Sequence, residues 1–191
     1  MSWKAAFYGS ADVSKSRIII TNTALIVLLI SIYGMCADFV PSAAWIDTAF
    51  SLAVAATILC VTAFYWAVLT GRTVFRPGTS VPMKLLVVLF GPILLFMFCS
   101  LSIMHGLGDI ATQVLGREDE LISNLSKHYE HSRKGCDFRL KGHDIDNAFP
   151  KHVCITEAGF ARLPQKGAYK LQILRSEIGF HITSLDLERS R

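Results

Sequence analysis

The sequence is poor in charge, since only 18% of its 191 residues are Asp, Glu, Lys or Arg, against about 25% in an average soluble domain. The shortage lies in one region. Between residues 18 and 104 the only such residues are Asp38, Asp47, Arg72, Arg76 and Lys84. So few charges cannot cover a water-exposed surface, which excludes a fully soluble protein. The tail from residue 105 onwards carries 13 of the 19 Lys and Arg and is the water-soluble part.

Motifs of catalysis and nucleic-acid binding are also lacking. There is no G-x-S-x-G, H-E-x-x-H or C-x-x-C pattern, so nothing marks a serine hydrolase, a zinc peptidase or a dithiol centre. The net charge of +4 comes without a basic run interleaved with aromatics, and we expect no nucleic-acid partner. We therefore expect no enzyme activity, no cofactor and no bound metal.

Histidines are the one feature that keeps a metal-dependent enzyme as an alternative. All six follow the third apolar stretch. A zinc site with an open position needs three nitrogen or oxygen ligands, and the candidates are His128, His131, His143, Asp144 and Asp146. Their spacing matches no specific zinc pattern, so the preferred interpretation is scattered histidines in solvent.

Three long apolar stretches occupy residues 18–37, 48–70 and 85–104. Each has about 20 residues without a charge, enough for a helix to cross a hydrocarbon core of ~30 Å. The first is too long for a signal peptide and lacks an A-x-A-like site, so we expect it to be retained. The predicted fold is an α-helical membrane protein with three transmembrane helices (residues 18–105), followed by a small α+β extracytoplasmic domain over residues 106–191.

Lysine and arginine predict the orientation. The loop over residues 38–47 has neither, whereas they occur in the N-terminal segment and in the second loop as Lys4, Lys15, Arg17, Arg72, Arg76 and Lys84. Basic loops stay in the cytoplasm. Residues 1–17 are therefore expected to be cytoplasmic and the C-terminus periplasmic, in a multi-pass protein of the cell inner membrane.

Two features of the helices concern packing. The second helix carries small residues at helical spacing, namely Ala49, Ala53, Ala56, Ala63 and Ala67. Small residues let helices approach closely in lipid, either within one chain or between subunits, and we expect a homo-oligomer. The third helix contains Gly91-Pro92 near its middle, which predicts a kink, either static or acting as a hinge.

The tail is predicted to contain one amphipathic helix and a short antiparallel sheet. Apolar residues recur at helical spacing over residues 109–134, with Arg133 and Lys134 near the end and Gly135 as a cap. Alternating segments then predict strands over 136–140, 153–156, 168–174 and 180–187, with a hairpin loop over 175–179.

Cysteines predict one disulfide. Cys136 and Cys154 are the only two in the tail, and a bond closing a loop of about 18 residues stabilises by roughly 3 kcal/mol. Free buried thiols or a metal pair are the alternatives. Cys60 and Cys99 lie in apolar helices, where cysteine behaves as a small apolar residue.

This arrangement predicts a non-enzymatic sensor, adaptor or scaffold subunit. Its extracytoplasmic domain would receive a signal, and its small basic cytoplasmic face would contact anionic lipid or a cytosolic protein. An envelope-monitoring, antiphage-defence or exclusion system is the setting that we expect. The alternative is a small homo-oligomeric channel, with the second or third helix lining the pore.

The topology is testable with reporters fused to Arg191. We expect alkaline phosphatase to be active there, because it folds only outside the cytoplasm. A fluorescent protein that folds only in the cytoplasm should stay dark. The reverse pattern would contradict the predicted orientation.

Overall fold

A computed structural model describes residues 14–71, 78–131 and 136–187. Several sequence expectations fall outside these ranges: those on residues 1–13, on Arg72 and Arg76 of the second loop, and on Arg133, Lys134 and Gly135 at the end of the predicted amphipathic helix.

Three long apolar helices begin the described chain: α1 (Lys15–Cys36), α2 (Ala43–Leu69) and α3 (Val81–Leu101). All three are long and apolar enough to cross a membrane. Helices α2 and α3 begin earlier than predicted because residues that favour a helix start lie at both positions. The Ser42 hydroxyl accepts a hydrogen bond from the Trp45 backbone N–H at 3.2 Å, and Pro82 lies in the first turn of α3.

The helical path of α3 continues beyond Leu101. It passes through a π-helical segment (Ser102–Leu107) into helix α4 (Gly108–Leu115). A Cβ on Gly106 would lie 2.5 Å from the Ile30 carbonyl oxygen of α1, so this glycine permits a close helix crossing rather than a break. The Trp45 indole donates to the Met104 carbonyl at 3.0 Å.

Helix α3 packs against both α1 and α2. The Ser31 hydroxyl of α1 is fully buried and lies 2.8 Å from the Phe98 carbonyl oxygen of α3. The Tyr65 hydroxyl of α2 donates to the Val88 carbonyl at 2.7 Å. Each of these hydroxyls thus bonds to a backbone carbonyl of a neighbouring helix, which joins α3 to both other helices.

The described residues also form a curled antiparallel sheet of six strands: β1 (Phe39–Pro41), β2 (Arg117–Tyr129), β3 (Phe138–Lys141), β4 (Val153–Cys154), β5 (Lys166–Ser176) and β6 (Gly179–Leu187). Their order is β1-β6-β5-β2-β3-β4. A 3-10 turn (His143–Ile145) and helix α5 (Glu157–Arg162) connect them. Strand β1 comes from the loop between α1 and α2, outside the 106–191 range predicted for the domain.

The amphipathic helix predicted over residues 109–134 is wrong. The helix ends at Leu115, and β2 begins at Arg117. Leu121 and Leu125 lie four residues apart, which fits a helical face, but they also lie on one face of a strand. Strand β2 pairs with β5, and this face packs into the sheet core, with Ser123 and Leu125 at 1% exposure. Burial in the core outweighs local helix periodicity here.

The later strands occur near their predicted positions, but the hairpin loop is shorter. Strands β5 and β6 extend towards each other and leave only Glu177 and Ile178 between them. Gly179 has φ +153°, and a Cβ there would lie 2.4 Å from the Val40 carbonyl oxygen. The glycine thus lets β1 lie directly against β6. The hydrophobic core contains Val40 of β1 and at least one residue of every other strand: Leu125, Leu140, Val153, Leu171 and Ile182.

The Gly106 crossing can be tested by adding a single methyl group. Gly106→Ala should lower the unfolding temperature in detergent, because the new Cβ meets the backbone of Ile30, and overpacking costs about 1–3 kcal/mol. Gly91→Ala in α3 is the matched control, since a Cβ there meets nothing within 4 Å. Equal unfolding temperatures for the two variants would contradict the close crossing.

Candidate functional site

A buried carboxylate lies where the helices meet the sheet. Asp109, in the first turn of α4, is completely shielded from solvent. Its Oδ1 lies 2.7 Å from His181 Nδ1 on β6. Its Oδ2 accepts hydrogen bonds from the Tyr33 hydroxyl of α1 and, at 2.8 Å, from the Gln113 amide. These four residues are called the junction cluster below, and they join α1, α4 and β6.

The local structure explains how the cluster assembles. The π segment carries the helix of α3 past the apolar stretch, so that Asp109 and Gln113 lie one turn apart on the same face of α4. Tyr33 lies in the last turn of α1. His181 lies opposite Phe39 in the β1–β6 pair, so the strand that comes from the first loop also positions the histidine.

Electrostatics favour a charged pair. The hydrogen bond to Asp109 raises the pKa of His181, and the negative charges of Asp109 and Asp38 act in the same direction, although burial opposes them. Burial raises the pKa of the Asp38 carboxyl. A buried charge is tolerated when it is paired and hydrogen-bonded, and Asp109 has all three of its partners within the cluster.

Further bonds fasten the sheet to the helices beside the cluster. The hydroxyls of Thr112 on α4 and Ser176 on β5 lie 2.7 Å apart. The Ser42 N–H donates to the Ile178 carbonyl at 2.9 Å, and the Ile182 N–H donates to the Asp38 carbonyl at 3.0 Å. The sheet is therefore held through β1, through β5 and through the junction cluster.

His105 in the π segment is buried. Its Nδ1 has no hydrogen-bond partner within the part of the chain that the structure describes. The ring lies 5.7 Å from that of Phe149, in the loop that connects β3 and β4. His105 therefore packs the π segment against this loop.

The predicted disulfide is present. Cys136 and Cys154 form a disulfide, with their Cα atoms 5.8 Å apart. Cys136 lies just before β3 and Cys154 lies in β4, so the disulfide links these two parts of the sheet. A ring nitrogen of His152 lies within 4.8 Å of both sulfurs. Both sulfurs are used in the disulfide, so the three residues do not form a free set of metal ligands.

The histidines considered as zinc ligands are dispersed. His131 lies 3.3 Å from Asp137, His143 lies 3.3 Å from Asp146, and His128 lies 3.1 Å from Ser126. All three histidines are exposed. The structure does not bring them together, and the buried cluster instead uses His181.

The predicted packing residues differ in their surroundings. Ala49 and Ala53 are completely buried within the single chain, Ala56 and Ala67 are half-buried, and Ala63 is exposed. The first two therefore pack internally, and a contact between subunits stays a prediction. Gly91 and Pro92 lie inside α3, which continues as a helix on either side of them, and the kink stays a prediction.

Sequence reasoning missed all four residues of the junction cluster. The one local signal was a polar pair, Asp109 and Gln113, at helical spacing directly after an apolar stretch. A carboxylate at that position is costly unless it has partners. Its partners lie more than 70 residues away in sequence, at Tyr33 and His181.

Comparisons with known protein families, with curated proteins and with solved structures find no match for this chain. Function is therefore argued from the geometry of the site rather than by analogy with a fold.

The pH dependence of stability tests the Asp109–His181 pair. Because the pKa of His181 is raised in the folded state, the pair contributes fully to stability below the ordinary histidine pKa of 6.5. That stability is lost as pH rises through the folded-state pKa. We expect the unfolding temperature to fall above pH 6.5, and His181→Gln to remove that part of the fall.

His152 provides a control with the opposite sign. Burial lowers the pKa of His152, so its contribution is lost as pH falls below 6.5. His152→Gln should change the profile only on that acid side. If His181→Gln left the profile above pH 6.5 unchanged, the charged pair would be ruled out.

Proposed function

We propose that this protein is a non-enzymatic sensor or adaptor of the bacterial inner membrane, in which the sheet lies outside the cytoplasm and passes a signal to the helices. The observation that carries the proposal is the burial of Asp109 between α1, α4 and β6. A signal-transmitting protein needs its two parts to be mechanically connected, and the junction cluster is such a connection.

The free energy needed to break the junction cluster explains how the cluster would transmit a signal. Withdrawing β6 from the helices removes His181 from Asp109 and leaves a buried charge unpaired, which costs about 3–5 kcal/mol. The sheet and the helix ends therefore move together, or the cluster changes between two discrete arrangements. Either way, a ligand that prefers one position of the sheet also shifts the helices.

Strand pairing supports the proposed topology. Because β1 pairs with β6, the loop at residues 38–47 and the sheet lie at the same end of the helix bundle. That loop contains no lysine or arginine, which is typical of a non-cytoplasmic loop. The basic N-terminal segment and second loop then form the cytoplasmic face, where we propose a cytosolic protein partner. The apolar side chains exposed along all three helices fit a lipid bilayer or a homo-oligomer.

The experiment compares partner capture by wild type and by a chain with a weakened junction. Tagged protein is cross-linked in membranes, purified in detergent, and its partners and stoichiometry are measured by mass spectrometry. We expect a cytosolic protein at a fixed ratio with wild type. Asp109→Asn should change that ratio several-fold, because the Asp109–His181 pair loses its charge.

Asp47→Asn is the matched control, since Asp47 is exposed on α2 and should behave like wild type. Protease resistance of the sheet checks that each variant is folded. A lone homo-oligomer that conducts ions after reconstitution would contradict the adaptor and favour a channel. Equal partner capture by both variants would contradict transmission through Asp109.

A further inference from the structure

A cavity of about 620 Å³ lies between α4 and the turn that joins β5 to β6, within the size range of small-molecule sites. Its lining combines apolar and charged residues: Ala111, Leu115, Arg117, Arg175, Glu177 and Ile178. Leu115 and its neighbour Val114 are 75% and 76% exposed at the end of α4. Helix α4, which carries this apolar surface, continues the helix of α3. The cavity therefore lies where the apolar helix ends and the charged sheet begins.

Two arginines of the cavity occupy directly paired positions on neighbouring strands. Arg117 on β2 is the direct partner of Arg175 on β5, and like charges at such positions destabilise a strand pair. The Arg175 Nε donates to Asp119 at 2.9 Å. Arg117 has no ion pair or side-chain hydrogen bond within the described ranges 14–71, 78–131 and 136–187. The strand pair therefore retains a positive charge that an anion in the cavity would neutralise.

The cavity also contains a negative group. Glu177 is exposed in the β5–β6 turn, and its carboxylate forms no ion pair with any residue that the structure describes. Its backbone carbonyl is held by the Ser42 hydroxyl at 3.1 Å, which fixes the position of this turn. The lining thus offers separate positive and negative groups beside apolar side chains.

We propose that this cavity binds the head group of an aminophospholipid, with the phosphate against Arg117 and Arg175 and the primary ammonium against Glu177. Guanidinium groups bind phosphate through paired, charge-assisted hydrogen bonds. The acyl chains lie along Leu115 and the apolar surface of α4. A purely anionic lipid leaves Glu177 unmatched, and free phosphate leaves the apolar lining residues uncovered. The inference rests on the membrane insertion that the proposed function includes.

The test uses the full chain in nanodiscs that contain phosphatidylethanolamine, phosphatidylglycerol and phosphatidylcholine in equal amounts with identical acyl chains. Lipids retained after mild detergent exchange are counted by native mass spectrometry. We expect selective retention of phosphatidylethanolamine. Arg117→Gln should lower that retention about tenfold, since a hydrogen bond to a charged group is lost.

Two further variants separate the parts of the head group. Glu177→Gln should abolish the preference for phosphatidylethanolamine over phosphatidylcholine, because the quaternary ammonium of choline donates no hydrogen bond. Arg162→Gln is the matched control, as an exposed arginine on α5 outside the cavity, and it should retain lipid like wild type.

Three results would overturn the proposal. The first is equal lipid retention by Arg117→Gln and Arg162→Gln. The second is equal retention of phosphatidylglycerol and phosphatidylethanolamine, which indicates a simple anion site. The third is displacement of the lipid by millimolar inorganic phosphate, which indicates a soluble anion. Failure of the chain to co-elute with nanodiscs would instead reject membrane insertion, and hence the proposed function itself.

Discussion

The pairing of β1 with β6 is the constraint on which the rest of this structure depends. Three residues from the loop between the first two helices complete a sheet that is otherwise built from the C-terminal tail. With β1 in place, Phe39 and Val40 are buried, and His181 is positioned opposite Phe39 to meet Asp109. The same pairing brings the β5–β6 turn against Ser42 and α4, where the proposed lipid cavity lies.

Helix α4 connects these features because it continues α3 without a break. The close crossing at Gly106 sets the position of α1, and Tyr33 of α1 then reaches Asp109. Two residues beyond Gln113 the same helix ends at Leu115, which lines the cavity. A change in the sheet, in α1 or in a bound lipid would therefore act on a single short helix, which supports the proposed role in signal transmission.

Much of this architecture follows from local sequence features, and the rest depends on contacts between distant segments. Long charge-free runs indicate the three helices, and a tail with just Cys136 and Cys154 indicates the disulfide. Leu121 and Leu125 satisfy both a helical and a strand period, so only pairing with β5 decides between them. Strand β1 is too short to show any period, and the Asp109 partners Tyr33 and His181 are distant in sequence. No local pattern predicts such a junction.

The most direct test of this account is a cross-link between β1 and β6 in native membranes. Val40→Cys and Phe180→Cys are combined in a chain whose free cysteines, Cys36, Cys60 and Cys99, are replaced by Ser. Directly paired positions have Cα atoms about 5.5 Å apart or closer, within disulfide range. The account predicts near-complete bond formation after mild oxidation, with little for Val40→Cys combined with Thr183→Cys. Equal or absent cross-linking in both pairs would contradict it.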